Sequence, residues 1–361
     1  MQTREVDATA VQTLLAAAVA APSVHNTQPW RFGLDADSRT VEVHADHARW
    51  LPAADPGRRA QHLSVGAAVL NLRLAADHLG WDPVVELLPP VGDPSLLATV
   101  RLAERPPNGV RRWPNGDQRR PGEPPRPGGL YEAVERRHTS RMPFTGRPVP
   151  DPVVAEMVAA ARAEGAYLDV PDIVATRRLL RLTAAAEARN AADAERVAET
   201  RAWLTAPGSA SPYGIPATAL GPRDGSGHVP MRDFAAPLPA LGRPAPRFER
   251  HVQLALLWTS HDRRQDWLRA GQALQRVLLT ATAHGVRTSM LHQAMEWPDL
   301  RAAMSGTRQR HHPHLLIRFG YGPEGGRTPR ATGTPGPPAG DPPTAGRDPR
   351  PMPPHRRTPR G

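Results

Sequence analysis

Two short blocks hold side chains whose types and spacing suit chemistry. Ala21–Phe32 (APSVHNTQPWRF) interrupts a helical pattern with a polar turn bounded by Pro22 and Pro29, then runs into a strand. Ser23, His25, Asn26, Thr27 and Gln28 crowd into it, and so many polar groups cannot be buried without partners. Taken alone, the block also reads as an ordinary helix-to-strand turn with an Asn cap. Glu135–Phe144 (ERRHTSRMPF) sets Arg136, Arg137 and Arg141 around His138, Thr139 and Ser140. Forked, permanently charged donors beside hydroxyls suit a phosphate or other anion. A solvated basic helix end is the other reading.

Other chemistries are excluded or disfavoured. The chain has no cysteine, which removes disulfides, thiol catalysis, iron–sulfur clusters and thiolate zinc sites. Redox chemistry would therefore need a bound organic cofactor, or a metal on histidines and carboxylates. The histidine-rich runs do not supply a metal site: His311, His312 and His314 precede a strand, and His44 and His47 flank an aspartate. Neither run has the i, i+4 spacing of a helical metal pair or an obvious third ligand. All five are expected to be surface or loop histidines, and no metal is expected.

The elements that must position the two blocks follow from periodicity. Helices are predicted over Thr9–Ala21, Gln61–Leu79, Asp151–Glu164, a long region Asp172–Trp203, and Gln265–His284. Strands are predicted over Arg39–Ala45, Leu96–Leu102, His251–Ser260 and His314–Tyr321. Three segments are rich in proline, glycine or arginine: 105–129 as a linker, 207–246 as a lid-like or disordered loop with Tyr213, Met231 and Phe234 as anchors, and 331–361 as a disordered tail.

One repeat stands out. LSVGAAVLNLRLAADHLG (Leu63–Gly80) and LRAGQALQRVLLTATAHG (Leu268–Gly285) align at a constant offset of 205 residues. The offset matches Leu63 with Leu268, Gly66 with Gly271, Ala68 with Ala273, Leu74 with Leu279 and Gly80 with Gly285. A shared interior glycine and a shared glycine stop point to a duplicated unit, with convergent amphipathic patterning as the alternative.

The formal charge of +11 suggests a polyanion partner, but its distribution argues otherwise. No lysine occurs, so all 46 basic residues are arginine, and isoleucine is confined to Ile173, Ile215 and Ile317. That pattern fits a GC-rich coding bias. Residues 101–150 and 331–361 together contribute +9 of the excess, within proline- and glycine-rich stretches that do not shape a groove. No specific nucleic-acid partner is expected. No apolar run reaches the ~18–20 residues of a membrane span, so no membrane partner and a cytoplasmic location are expected.

Together the two blocks resemble a known family. PSVHNTQPW is similar to the P-S-x-x-N-x-Q-P-W segment of the nitroreductase superfamily, and RHTSR to that superfamily's arginine–hydroxyl segment. The order and spacing of RRHTSRMPF, WLRAGQALQRVLLTATAHG and LLIRFGYG…TPR resemble the Acg-like, FMN-binding branch. The resemblance implies an α+β fold, nitroreductase-like and duplicated in one chain as a pseudo-dimer, with antiparallel or mixed sheets flanked by helices. It implies halves at 1–104 and 130–330, joined by the linker 105–129, with 207–246 inserted in the second half and 331–361 trailing it.

The motifs are split: PSVHNTQPW occurs only in the first half, and RRHTSR opens the second. The resemblance therefore implies one FMN per chain, held across the two halves, and a monomer that mimics a homodimer. Arg137, His138, Thr139 and Arg141 would lie along the phosphate, ribityl and pyrimidine side. Pro22, Ser23 and Asn26 would come from the other half and pack near the ring. Arg330 or Arg327 would reach the phosphate, and Ser289 and Met290 would place a backbone N–H against the ring. The implied activity is hydride transfer from NAD(P)H to FMN and on to a nitroaromatic, quinone or similar small acceptor, with no catalytic side chain. A chain that holds FMN under a lid with little turnover is the alternative. Two departures bear on this. Val65, in SVGAAV, stands where many relatives have a cysteine, and small nitroreductases have no segment like 207–246.

Overall fold

The computed structural model describes residues 5–90, 92–105, 129–206, 208–234, 245–306 and 311–333. The linker 105–129, apart from its two end residues, and the tail beyond Gly333 lie outside these. The first half runs α1 (Ala8–Val19), β1 (Trp30–Asp35), β2 (Thr40–Ala45), α2 (Arg59–His78), β3 (Trp81–Leu87) and β4 (Leu96–Glu104). The second runs α3 (Leu130–Arg136), α4 (Asp151–Ala163), β5 (Tyr167–Asp169), α5 (Ile173–Ala192), α6 (Ala194–Ala202), β6 (Leu204–Thr205), β7 (Ile215–Pro216), β8 (Gln253–Thr259), α7 (Arg264–Ala283), β9 (Arg287–Leu291), α8 (Pro298–Met304) and β10 (His312–Gly320).

Local chemistry sets the boundaries. The Asp7 carboxylate accepts from the Ala10 N–H at the start of α1, and Asp172 does the same for Ala175 at the start of α5. The long helical region predicted over Asp172–Trp203 is built as two helices. Asp193 leaves helical geometry and its carboxylate caps the N–H groups of Glu195 and Arg196, so it ends α5 and begins α6. Gly80 and Gly285 stop α2 and α7 at positive φ, 88° and 71°.

Each half builds a four-stranded antiparallel sheet, and the two have the same order: β1-β2-β4-β3 and β5-β8-β10-β9. A helix precedes the first strand of each, and α2 or α7 joins the second to the third. The halves differ in what links the first two strands. A tight turn joins β1 to β2, whereas α5, α6, β6 and β7 and the segment around 208–234 lie between β5 and β8. One apolar core lies between the first sheet, α1 and α2, and another between the second sheet, α4 and α7. A third, from α5 and α8, covers the second sheet's other face.

Between the halves, α2 crosses α7. All but the last two residues of α2 are buried, because its own sheet lies on one side and α7 on the other. Gly66 and Gly271 form the crossing point. A Cβ on Gly66 would lie 2.1 Å from the Leu268 carbonyl oxygen, and one on Gly271 would lie 2.1 Å from the Leu63 carbonyl oxygen. These are the residue pairs that the 205-residue offset exchanges, so the contact is reciprocal. His62 and Trp267, exchanged by the same offset, meet edge to face at 5.3 Å. Beside them, the buried Arg73 guanidinium reaches across to Gln272 and Glu164, and Arg276 shares Glu164.

Two histidines correct the reading from sequence. His44 and His314 are buried in strands and not on the surface: His44 contacts Ser95 and Glu42, and His314 sits 2.6 Å from Thr259 Oγ1. Residues 331–333 also dock on the first half. The Ala331 N–H donates to Gln28, and Gly333 packs on Leu15.

In an open helix interior, Gly→Ala stabilises by about 1 kcal/mol. At this crossing the methyl group overlaps a carbonyl oxygen, and overpacking costs about 1–3 kcal/mol. Gly66→Ala and Gly271→Ala should each lower the melting temperature. A rise in either variant would contradict the close crossing.

Candidate functional site

The loop after α1 is the most distorted stretch of backbone. His25, Asn26 and Gln28 take positive φ of 52°, 55° and 48°, which costs about 1–3 kcal/mol per residue where other contacts do not compensate. Those contacts are specific. Ser23 Oγ accepts from the Gln28 N–H. Asn26 Nδ2 donates to the carbonyls of Gly214 (2.9 Å) and Pro329 (3.0 Å) and lies 3.3 Å from that of Pro212. Asn26 Oδ1 accepts from Arg330 at 2.7 Å, and Gln28 Nε2 donates to the Pro212 carbonyl. One asparagine thus ties the first half to both the 212–214 segment and the end of the second half.

A cleft made of two adjoining pockets, which share lining residues, opens beside this loop. Its polar end, ≈ 390 Å³, is lined by residues that include Pro22, Ser23, Asn26, His138, Thr139, Arg141, Met290, Thr328 and Arg330. Its larger, mostly apolar end, ≈ 780 Å³ and partly open to solvent, is walled by Leu63 and Leu274 from the crossing helices. Met231 and Phe234 also line it, as do Pro22, Ser23, Thr139, Arg141 and Met290, which the two ends share. Both halves contribute to each end.

Of the residues singled out from sequence, eight line the cleft: Pro22, Ser23, Asn26, His138, Thr139, Arg141, Met290 and Arg330. Three do not. Arg137 is buried where α3 ends, Arg327 lies further out against the Glu135 carbonyl, and Ser289 is buried in β9 with its hydroxyl toward Met231. Thr139 and Ser140 are held in place by β9: Thr139 bridges to Thr288, and the Ser140 N–H donates to the Thr288 carbonyl.

The polar end is short of negative charge. Arg137 Nε and Nη1, Arg330 Nε and His138 Nε2 are buried and have no hydrogen-bond partner. Burial, then the charges of Arg330 and Arg327, push the Arg137 guanidinium down to about 9. Burial alone takes Arg330 down to about 10. Buried donors left without acceptors are costly, and the unpartnered nitrogens of Arg137 and Arg330 would be relieved by an anion with several acceptor oxygens. A phosphate fits.

The opposite end contains residues that sequence reading did not single out as site residues. Glu296 is buried beside Arg196, Arg232 and His292. Burial would raise its carboxyl, but Arg232 and His292 carry it down to about 2. Glu296 had no signal in sequence, since HQAMEW carries no recognisable spacing. Arg232 brings with it the 208–234 segment: Met231 and Phe234 enter the cleft, Arg141 donates to the Ala219 carbonyl, and the Arg49 guanidinium lies over Tyr213. Among the described residues no group of His, Asp and Glu is arranged to hold a metal ion, and no helix is long and apolar enough to cross a membrane.

Comparison with known proteins decides the family. The Mycobacterium tuberculosis protein named "Putative NAD(P)H nitroreductase Rv3131" is 33% identical over 330 residues, covering 90% of this chain and 88% of that protein. From the same organism, "Putative NAD(P)H nitroreductase acg" is 31% identical over 343 residues, covering 92% and 94%. The chain belongs to the Acg-like branch of the nitroreductase superfamily. No family model matches it. Among solved structures, a Bacteroides fragilis nitroreductase with bound FMN aligns over 55% of this chain and 90% of its own, at 15% identity and a TM-score of 0.33. The FMN-dependent nitroreductase NfnB from Mycobacterium smegmatis, in complex with NADPH, aligns over 53% and 88%, at 17% and 0.32.

Two buried imidazoles, His25 in the cleft and His62 at the helix crossing, give the fold a pH signature. Burial, then Arg232, lowers His25 to about 3, and burial lowers His62 to about 4. Unfolded, each takes a proton near pH 6.5. Between those values the unfolded chain binds more protons, so stability is fully present above pH 6.5 and falls on acidification. Denaturant unfolding between pH 7.5 and 5 should show this loss, up to about 1.4 kcal/mol per pH unit for each histidine. His25→Phe should make it shallower. Stability independent of pH over that range would contradict neutral burial.

Proposed function

We propose that the cleft holds FMN and that the chain is an FMN-dependent NAD(P)H oxidoreductase passing electrons to a nitroaromatic, quinone or similar small acceptor. The observation that carries this reading is the set of unpartnered nitrogens on Arg330, at the polar end of a cleft built from both halves, and on Arg137, buried near it. Its relatives' names point the same way.

Bound FMN would supply hydride acceptance and release. Arg137 and Arg330 would hold its phosphate, with Arg327 adding charge nearby. Thr139 and Thr328 would offer hydroxyls. Arg141 would bring a cation to the ring's polar edge, and Pro22, Leu63, Leu274 and Met290 would pack against its faces. Met231 and Phe234 would exclude water. No side chain need move a proton. On this reading the matching sheets and the reciprocal helix crossing make one chain the counterpart of a dimer, with its one complete site drawing on both halves.

A second reading is a flavin-holding protein with little turnover. It is favoured by the 208–234 segment, whose Phe234 lies in the cleft while Arg232 pairs with Glu296. Anaerobic spectra separate the two readings. Bleaching of the yellow protein by NAD(P)H supports the oxidoreductase, and bleaching by dithionite alone supports sequestration. A protein that purifies colourless and takes up no added FMN would sink both.

Arg137→Ala should weaken FMN by about 1.5–3 kcal/mol, roughly ten- to a hundredfold, as a charge-assisted contact is lost. Asn26→Ala should weaken the same flavin, because Arg330 and the 212–214 segment lose their tether. An Asn26→Ala protein that titrates with FMN like the parent would remove the first half from the site.

A further inference from the structure

His25 is not explained by phosphate binding, and it is not a structural hydrogen-bonding residue. It is buried, yet neither ring nitrogen has a partner. Its backbone is held in the left-handed region by the bonds of its neighbours Asn26 and Gln28, so the loop forces its side chain into the wide end of the cleft. It is a neutral imidazole there, with one N–H to give and one lone pair to accept with.

What His25 does touch is Phe234, edge to face at 5.4 Å. The same phenyl ring has the guanidinium carbons of Arg141 and Arg232 at 5.4 Å and 6.0 Å from its centroid. An uncharged benzene ring thus sits between an unsatisfied imidazole and two guanidiniums, of which Arg232 is paired with Glu296 and Arg141 donates to the Ala219 carbonyl. Cations near an aromatic face favour electron-rich or negatively charged rings, and a phenyl edge cannot satisfy a ring nitrogen. The surroundings fit a flat ring that carries oxygen better than they fit phenylalanine.

We propose that the place held by the Phe234 ring is a subsite for a flat aromatic acceptor bearing an anionic or carbonyl oxygen, and that His25 determines its specificity by donating a ring N–H to that oxygen. This rests on the flavin reading above, since the subsite lies in the same cleft as the proposed ring position. Phe234 competes for the subsite from within the chain, so occupancy requires its side chain to leave. Hydroxyquinones and arene carboxylates have the required chemistry. Plain hydrocarbons and cationic rings do not.

The test uses the full chain and two fluorescent probes that need no turnover: 2-naphthoate, and 2-methylnaphthalene as its oxygen-free counterpart. Phe234→Ala should tighten both, by about tenfold if the open state is a tenth of the population. In that background His25→Phe should weaken 2-naphthoate about ten- to a hundredfold and leave 2-methylnaphthalene unchanged. His25→Asn, which keeps a donor, should retain part of the affinity and guards against misfolding of the phenylalanine variant. The proposal is overturned if His25→Phe leaves 2-naphthoate unaffected or weakens both probes equally. It is also overturned if that variant changes only flavin content or midpoint potential, which would place His25 on the flavin. Because the probes report their own binding, a chain that behaves as described but carries no flavin faults the flavin reading alone.

Discussion

The contact between Gly66 and Gly271 is the constraint on which the rest of the arrangement depends. With no side chain at either position, α2 and α7 approach until each backbone meets the other's carbonyl oxygen. That distance brings Leu63 and Leu274 together as walls of one cleft, and it allows Arg73 to reach Glu164 and Gln272 across the crossing. A wider crossing would separate the loop after α1 from β9 and the Arg137–Arg141 stretch, which must face one another for a site to exist. The fold's stability and the site's geometry thus come from the same few residues.

Around that crossing the protein keeps features that a purely stable fold would lose. The positive-φ loop His25–Gln28, the unpartnered Nε of Arg330 and the unpartnered ring of His25 lie at one cleft, and Arg137, with idle nitrogens of its own, is buried close by. Each is individually unfavourable. Their convergence is what distinguishes a binding site from accidental strain. The strain is held by Asn26 and Gln28, whose side chains bind backbone from distant parts of the chain.

Much of this was legible in the sequence. The offset of 205 residues singled out the two helices and their shared glycines as a repeat; that the helices cross at those glycines is seen only in the fold. PSVHNTQPW and RRHTSR marked both sides of the cleft, since their polar groups need partners wherever they lie. What was not legible depends on tertiary contact. Arg137 was expected along the phosphate side; it is absent from the cleft lining and is buried where α3 ends, near Arg330, with Nε and Nη1 unpartnered. His44 and His314 looked like surface residues because polar strand residues resemble loop residues until their buried partners, Ser95 and Thr259, are known. Glu296 gave no signal because its meaning comes from Arg232 and Arg196, which are brought to it only by folding. The short strands β5 and β9 were missed for a related reason: each is defined by pairing with a longer neighbour.

The central claim is that one chain builds one flavin site from its two halves. Native mass spectrometry of the purified protein tests it in a single spectrum, since flavin count and oligomeric state are read together. The account predicts a species of one 39.2 kDa chain carrying one FMN. Two FMN per chain, or flavin found only on a dimer, would contradict it.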